Sequence, residues 1–265
     1  MITSLQNPLV RYVRRLQHKA SFRRKEKKFV VEGRREVQRA MIGGYCLEKL
    51  IVCPAIDSHV ELREKFVRQY PRGEIVEVEA KVYEAMAYRG GTEGVLAVGC
   101  QKDHLPRWED LPADPLLLVA ERIQKPGNIG AILRTTDAVG AHAVIFVDPQ
   151  TDLYNPNVIR SSLGTLFTQQ VWLASLDQLA EGKQKAGFRL WAATLQNSRV
   201  YWHEDYREAT ALAVGSEAEG LSEAFRQLAD GQIYIPMNGI ADSLNVSVSA
   251  AVLLYEALRQ RNTED

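Results

Sequence analysis

The sequence predicts an α/β protein in two parts: a small N-terminal α/β domain over residues 1–100, and a C-terminal, mostly parallel sheet with helices on both faces over 115–265. Three observations predict it. Short apolar, β-branched runs alternate with helical segments along most of the 265 residues, the pattern of parallel strands joined by crossover helices. That pattern lapses between Gln101 and Pro115, where Pro106, Pro112 and Pro115 stand among charges, so 101–114 reads as a linker. Charge is also uneven: residues 1–40 hold 12 Lys and Arg against 3 Asp and Glu, although the whole chain carries 33 of each.

The elements follow in order. Pro8 to His18 places Leu9, Val13 and Leu16 at helical spacing with Arg11, Arg14 and Arg15 between them, a basic amphipathic helix. Phe29-Val30-Val31 reads as extended. A helix near Arg35 to Ile42 stops at Gly43-Gly44, and a strand at Lys49–Cys53, a helix at Val60–Gln69, a strand at Glu74–Val78 and a last strand at Gly94–Gly99 complete the first domain. Beyond the linker, buried strands are expected at Leu116–Ala120, Ala143–Asp148, Gln170–Ala174, Arg189–Thr194, Leu212–Gly215 and Gln232–Pro236.

Composition narrows the class. Hydrophobic residues make up 46% and charged residues 25%, which supports packed cores and not a disordered chain. No run approaches the roughly 20 apolar residues of a membrane helix, so no membrane span is expected. Cys46, Cys53 and Cys100 are odd in number and lack CxxC spacing; neither a disulfide framework nor a zinc site is indicated, and a reducing cytoplasm fits. None of the five histidines has ligand-like spacing, and no metal is expected. The basic start suits a polyanion, because Lys and Arg on phosphates release condensed counterions. It is also what a solvated helix face or, with no acid before Glu26, an organellar transit peptide looks like.

Three polar turns at strand ends carry the chemistry. The first runs from Glu121 to Arg134 and contains Lys125-Pro-Gly-Asn128-Ile-Gly130; it opens a helix but is not GxGxxG, so a dinucleotide site is poorly matched. The second is Gly215-Ser-Glu217-Ala-Glu-Gly220-Leu-Ser222, and the third runs from Ile235-Pro-Met237 to Ser243-Leu-Asn245-Val-Ser247. Each alone is ordinary helix-start punctuation. Together they converge where ligands bind in open α/β sheets, outside the carboxyl ends of the strands.

Asn128-x-Gly130 with Arg134, Gly215-Ser-Glu217-x-x-Gly220-Leu, and Ile235-Pro-Met with Ser243-Leu-Asn245-Val-Ser resemble the three motifs of SpoU/TrmH RNA 2'-O-ribose methyltransferases of the SPOUT superfamily. Asn7-Pro8, the basic helix and Phe29-Val-Val-Glu-Gly33 are similar to that family's ribosomal-protein-like RNA-binding domain, which argues against a transit peptide. The resemblance implies S-adenosylmethionine as methyl donor, a deep trefoil knot near the C-terminus, a homodimer formed through the knotted domain, and an RNA partner. It implies cofactor contacts from Gly215, Ile235 and Leu244, largely through backbone groups, with Thr194, Leu195, Met237 and Ser243 nearby. Asn128, Arg134, Glu217, Ser243 and Asn245 become the residues of catalysis and ribose or phosphate positioning. An appended domain of this size points to ribosomal RNA of the 23S type; tRNA, or a noncatalytic RNA-binding role on the same fold, are the alternatives. The family's favoured base is Arg134, yet a guanidinium titrates above about 12; the alternative is a phosphate clamp that lowers the hydroxyl pKa, with the proton leaving through water or Glu217.

Overall fold

A computed structural model describes residues 1–57, 60–88 and 93–262. Up to Cys100 the elements are α1 (Pro8–His18), α2 (Ala20–Glu26), β1 (Lys28–Glu32), α3 (Arg34–Ile42), β2 (Leu47–Val52), α4 (Val60–Gln69), β3 (Glu74–Glu77), α5 (Ala80–Met86) and β4 (Val95–Cys100). Then come β5 (Leu116–Glu121), α6 (Pro126–Val139), β6 (Ala143–Val147), α7 (Pro156–Ser161), β7 (Val171–Ala174), α8 (Leu176–Ala186) and β8 (Arg189–Ala193). The run ends with β9 (Arg199–Val200), β10 (Thr210–Val214), α9 (Glu223–Leu228), β11 (Gly231–Tyr234) and α10 (Val246–Asn262).

These elements form two compact units, Met1–Asp103 with Asp152–Thr168, and His104–Thr151 with Gln169–Asp265. Among the described residues the first holds a four-stranded sheet in the order β1-β4-β2-β3, antiparallel except where β2 meets β3. Its opening helix begins where the sequence says it should: Asn7 accepts a hydrogen bond from the Leu9 amide at 2.9 Å and Pro8 takes the first helical position, where its missing N–H is no loss. Val10, Val13 and Leu16 are buried under α1, while Arg11, Arg14 and Arg15 stay exposed.

The contact division departs from the expected 1–100, 101–114 and 115–265 bounds in two places. Residues 152–168 pack with the first unit. Tyr154 stacks on Phe29 with ring centroids 5.1 Å apart, and Phe167 lies 5.2 Å from Phe29 and 4.9 Å from Tyr45. Asp152 pairs at 2.6 Å with buried Arg23, whose other donors reach the Leu16 and Gln17 carbonyls. Burial pushes the Tyr45 and Tyr154 hydroxyls above the ordinary tyrosine range. The expected linker is likewise not a free tether: its part from His104 onward belongs to the second unit. The His104 carbonyl accepts from the Leu173 amide at 2.7 Å, and Trp108 lies edge-on to Trp172 at 5.1 Å. A side chain at position 182 would sit about 2.2 Å from the Trp108 ring, so Gly182 of α8 is what lets that ring in.

Among the described residues the second unit has a seven-stranded sheet in the order β7-β6-β5-β10-β8-β11-β9, parallel throughout. Alternate residues of each strand serve opposite faces. Leu117, Val119, Ala211 and Ala213 pack with Leu179 of α8 and Phe225 of α9, while α6 and α10 pack against each other, with α10 also against β10 and β5. Strands run from two residues in β9 to six in β5; the expected extensions to Asp148, Thr194, Gly215 and Pro236 fall in the loops after them. Order reverses at β5 and β10: from β5 the chain continues to β6 on one side, and β8, β11 and β9 lie beyond β10 on the other. Ligand crevices in open parallel sheets form at such switch points.

Candidate active site

The site is built where β5, β8, β10 and β11 end. Beyond Val214 the chain makes a tight turn in which the Ser216 and Gly220 backbones bond each other at 3.1 and 3.0 Å, and Ser216 Oγ accepts from the Glu219 amide at 3.1 Å. The two glycines of Gly-Ser-Glu-x-x-Gly follow from that turn. A Cβ on Gly215 would lie 2.0 Å from the Gly220 carbonyl carbon, and Gly220 itself has φ of +68°, a region costly for other residues. Glu217 is thereby presented at the tip.

Asn128 sits in the first turn of α6, behind Pro126. Its Nδ2 donates to Glu217 Oε1, and its Oδ1 accepts from Asn245 Nδ2 at 3.2 Å. Asn245 precedes α10, and its Oδ1 accepts from the Ser247 amide at 2.9 Å and the Ser247 hydroxyl at 2.7 Å. With Oδ1 occupied by its own helix, only Nδ2 is left for Asn128, so the bonds run in one direction from Asn245 through Asn128 to Glu217. Three segments far apart in sequence become one polar network.

Beside it opens a cavity of about 650 Å³, within the usual size range for small-ligand sites. Gly215, Ile235, Leu244, Thr194, Leu195, Met237 and Ser243 all line it, as do Glu217 and Asn245. Lys125, Gln196, Arg226 and Asp242 line it too; no spacing in the sequence singled them out, because only the fold brings them there. Among the described residues, the backbone N–H groups of Met237, Asp242, Ser243 and Leu244, all lining the cavity, make no hydrogen bond, which leaves their peptide groups open.

Arg134 stands apart. It is exposed on α6, about 120° around the helix from Asn128, does not line the cavity, and its side chain makes no hydrogen bond or ion pair among the described residues. Its guanidinium is available to a molecule arriving from solvent.

Comparison with known proteins agrees with this architecture. The SpoU rRNA Methylase family matches residues 115–255, and an MRM3-like substrate binding domain matches residues 7–97. The chain belongs to the SpoU rRNA methylase family. It is 30% identical over 254 residues to the 23S rRNA (guanosine(2553)-2'-O)-methyltransferase RlmP of Bacillus subtilis, covering 96% of this chain and 97% of that one. An AdoMet-bound rRNA methyltransferase from Sinorhizobium meliloti superposes with a TM-score of 0.88 at 28% identity, covering 99% of this chain and 98% of the other. A Thermus thermophilus tRNA (guanosine(18)-2'-O)-methyltransferase is 41% identical over 150 residues, which is 55% of this SpoU family member and 75% of the tRNA enzyme.

Proposed function

We propose that the protein is an S-adenosylmethionine-dependent RNA 2'-O-ribose methyltransferase acting on 23S-type ribosomal RNA. The observation that carries this is the Asn245–Asn128–Glu217 network, whose two ends line the cavity, in a chain of the SpoU family. The cavity suits the cofactor. Glu217, Glu219 and Asp242 offer negative charge to a sulfonium and an ammonium, Lys125 and Arg226 offer positive charge to a carboxylate, and the open peptide groups of Met237, Asp242, Ser243 and Leu244 suit a purine edge. Bound there, S-adenosylmethionine supplies an electrophilic methyl group.

What the chain must do is hold a ribose 2'-oxygen in line with that methyl and take its proton. The Asn128 and Asn245 amides fix Glu217, leaving its second carboxylate oxygen to accept from the ribose hydroxyl or a water. Arg134 clamps the neighbouring phosphate, and its charge eases loss of the hydroxyl proton. Residues 1–100 supply RNA affinity through Arg11, Arg14, Arg15 and their neighbours. Their match to a substrate-binding domain supports this, as does the full-length alignment with the Bacillus rRNA enzyme where the Thermus tRNA enzyme aligns with little more than half of the chain.

The same reading makes the protein a cytoplasmic homodimer with a deep trefoil knot near its C-terminus. Family membership supports the knot. Val248 and Tyr255, on α10, are 46% and 51% exposed, apolar surface suited to a second copy. Three free cysteines suit a reducing compartment, and among the described residues no helix is long and apolar enough to cross a membrane.

Tritiated methyl transfer from S-adenosylmethionine to total RNA, followed by mapping of 2'-O-methyl positions, tests the proposal. Transfer to 23S RNA that survives a chelator is expected. Transfer only to tRNA would replace the substrate, and transfer only to protein or DNA would remove the function.

A further inference from the structure

The first residue after the β5 core that could carry charge, Glu121, is only 3% exposed. It lies at the switch point, paired across the sheet with Val147, and has no place in the network above. One carboxylate oxygen accepts from the Ser222 amide at 2.7 Å and the other from the Ser222 hydroxyl at 2.6 Å. Ser222 is the N-cap of α9, its Oγ accepting from the Phe225 amide at 3.2 Å. Leu221, just before it, is buried, and its carbonyl accepts a hydrogen bond from cavity-lining Arg226.

The loop from Gly215 to Ser222 is therefore tied to the β5–α6 connection at both ends. Asn128 holds Glu217 near its start, and Glu121 holds Ser222 at its finish. Between them Arg122, at φ of +54°, reaches Glu219 at 3.8 Å, but both partners are more than half exposed, and such pairs hold little. The buried tie is the Glu121 carboxylate, whose charge is met by two donors from one residue. A buried carboxylate is retained only where its partners are fixed, so the fixing runs both ways.

We infer that Glu121 is a positioning residue for the cofactor: by clamping Ser222 it sets the wall of the cavity formed by 215–221 and the place of Arg226 beneath it. Glu121 touches neither substrate nor cofactor. The inference rests on S-adenosylmethionine occupying this cavity. Because Glu217 is held independently by Asn128, loss of the Glu121 tie loosens the cofactor wall while leaving the catalytic network in place. The effect falls on cofactor affinity more than on the rate at saturation.

The test uses the full chain and S-adenosylhomocysteine, titrated calorimetrically at a temperature where every variant is folded, together with hydrogen exchange of the unliganded protein. Glu121→Ala should raise the dissociation constant about tenfold or more and speed amide exchange in 216–222, with single-turnover methylation at saturating cofactor within about threefold of the parent. Glu121→Gln, which can accept from the Ser222 amide and donate to its hydroxyl, should restore affinity to within about threefold. Ser222→Ala, which removes the hydroxyl donor and keeps the amide one, should cause a smaller loss of the same kind, and adding it to Glu121→Ala should weaken binding no further, because the carboxylate that the hydroxyl serves is already gone. If Glu121→Ala does not fold, Glu121→Gln and Ser222→Ala decide the matter in its place. Unchanged affinity in Ser222→Ala, additive losses in the double variant, or exchange in 216–222 no faster than in the parent would overturn the inference. No binding by the parent protein would instead remove the cofactor from this cavity, and the inference with it.

Discussion

The two units solve opposite problems with different chemistry. The first buries its large aromatic side chains, Phe29, Tyr45, Tyr154 and Phe167, against one another and leaves its charge outside on α1. The second fills the centre of its sheet, β5 and β10, mainly with Leu, Val and Ala, places Phe146, Trp172 and Trp191 singly on β6, β7 and β8, and gathers its polar network at the strand ends. A surface that grips phosphates needs charge in bulk and tolerates imprecision. A site that aligns reacting atoms needs few groups held in fixed directions. Substitutions in the first unit should therefore act on affinity and stability, and those at the strand ends on rate.

The largest effect is expected at Arg134. Arg134→Ala should lower single-turnover methylation by about a thousandfold or more, as loss of a charge-stabilising group does, with cofactor affinity near that of the parent. Arg134→Lys separates clamp from base. Lysine has a lower reference pKa, near about 10.4, and lacks the planar two-point grip, so a true base would keep activity with its pH–rate profile displaced to lower pH. A clamp would lose activity without displacement, which is the expected result between about pH 6 and 10. A clear acidic displacement would move Arg134 from the phosphate-binding side of the comparison to the proton-transfer side.

Next in size is the aromatic cluster. Phe167→Ala should destabilise the protein by about 3–5 kcal/mol in urea denaturation, while cofactor affinity at low temperature is unchanged. A loss of affinity instead would show that the two units do not divide their labour. The double change Arg11→Ala and Arg14→Ala should weaken RNA binding about tenfold and reduce the slope of log affinity against log salt by about 0.7–0.9 per phosphate contact removed. The smallest effect belongs to Glu219→Gln, which breaks an exposed pair with Arg122 and should alter stability by less than about 1 kcal/mol. A greater loss would mean that this pair also shapes the loop.

Legibility followed the range of the interactions. Six strands of the second unit could be read because a parallel sheet buries both faces and writes apolar runs into the text, while the two-residue β9, Arg199–Val200, writes none and was missed; α1 could be read from Asn7-Pro8 and the Val13–Leu16 spacing. Gly215 and Gly220 were legible because the turn between them imposes its own residue types, whereas Thr194, Leu195, Ile235, Met237, Ser243 and Leu244, which line the same cavity, were legible by resemblance. By contrast α2, Ala-Ser-Phe-Arg-Arg-Lys-Glu, lacks an apolar stripe, and its Arg23 is buried only because Asp152 meets it 129 residues later. Prolines among charges made 101–114 read as a linker, and the packing of Trp108 stayed hidden because its partners Trp172, Gly182 and Phe188 lie far along the chain. Glu121 read as the first residue of the turn after a strand, and its partner comes 101 residues on. Arg134 was legible by resemblance alone, because nothing in the fold holds it.

The return of residues 152–168 to the first unit has a consequence for the order of events during synthesis. N-terminal domains generally fold first as the chain emerges. Here Phe29 and Tyr45 emerge long before Tyr154 and Phe167, and by then β5, α6 and β6 have already left the ribosome. The nascent N-terminal unit must wait, its aromatic core half-built and its Arg23 without Asp152, until the other unit is under way. The chain also passes between the units three times, after Asp103, Thr151 and Thr168, so one cut near residue 103 leaves them covalently joined. Recombination at a single breakpoint there could not exchange either unit whole.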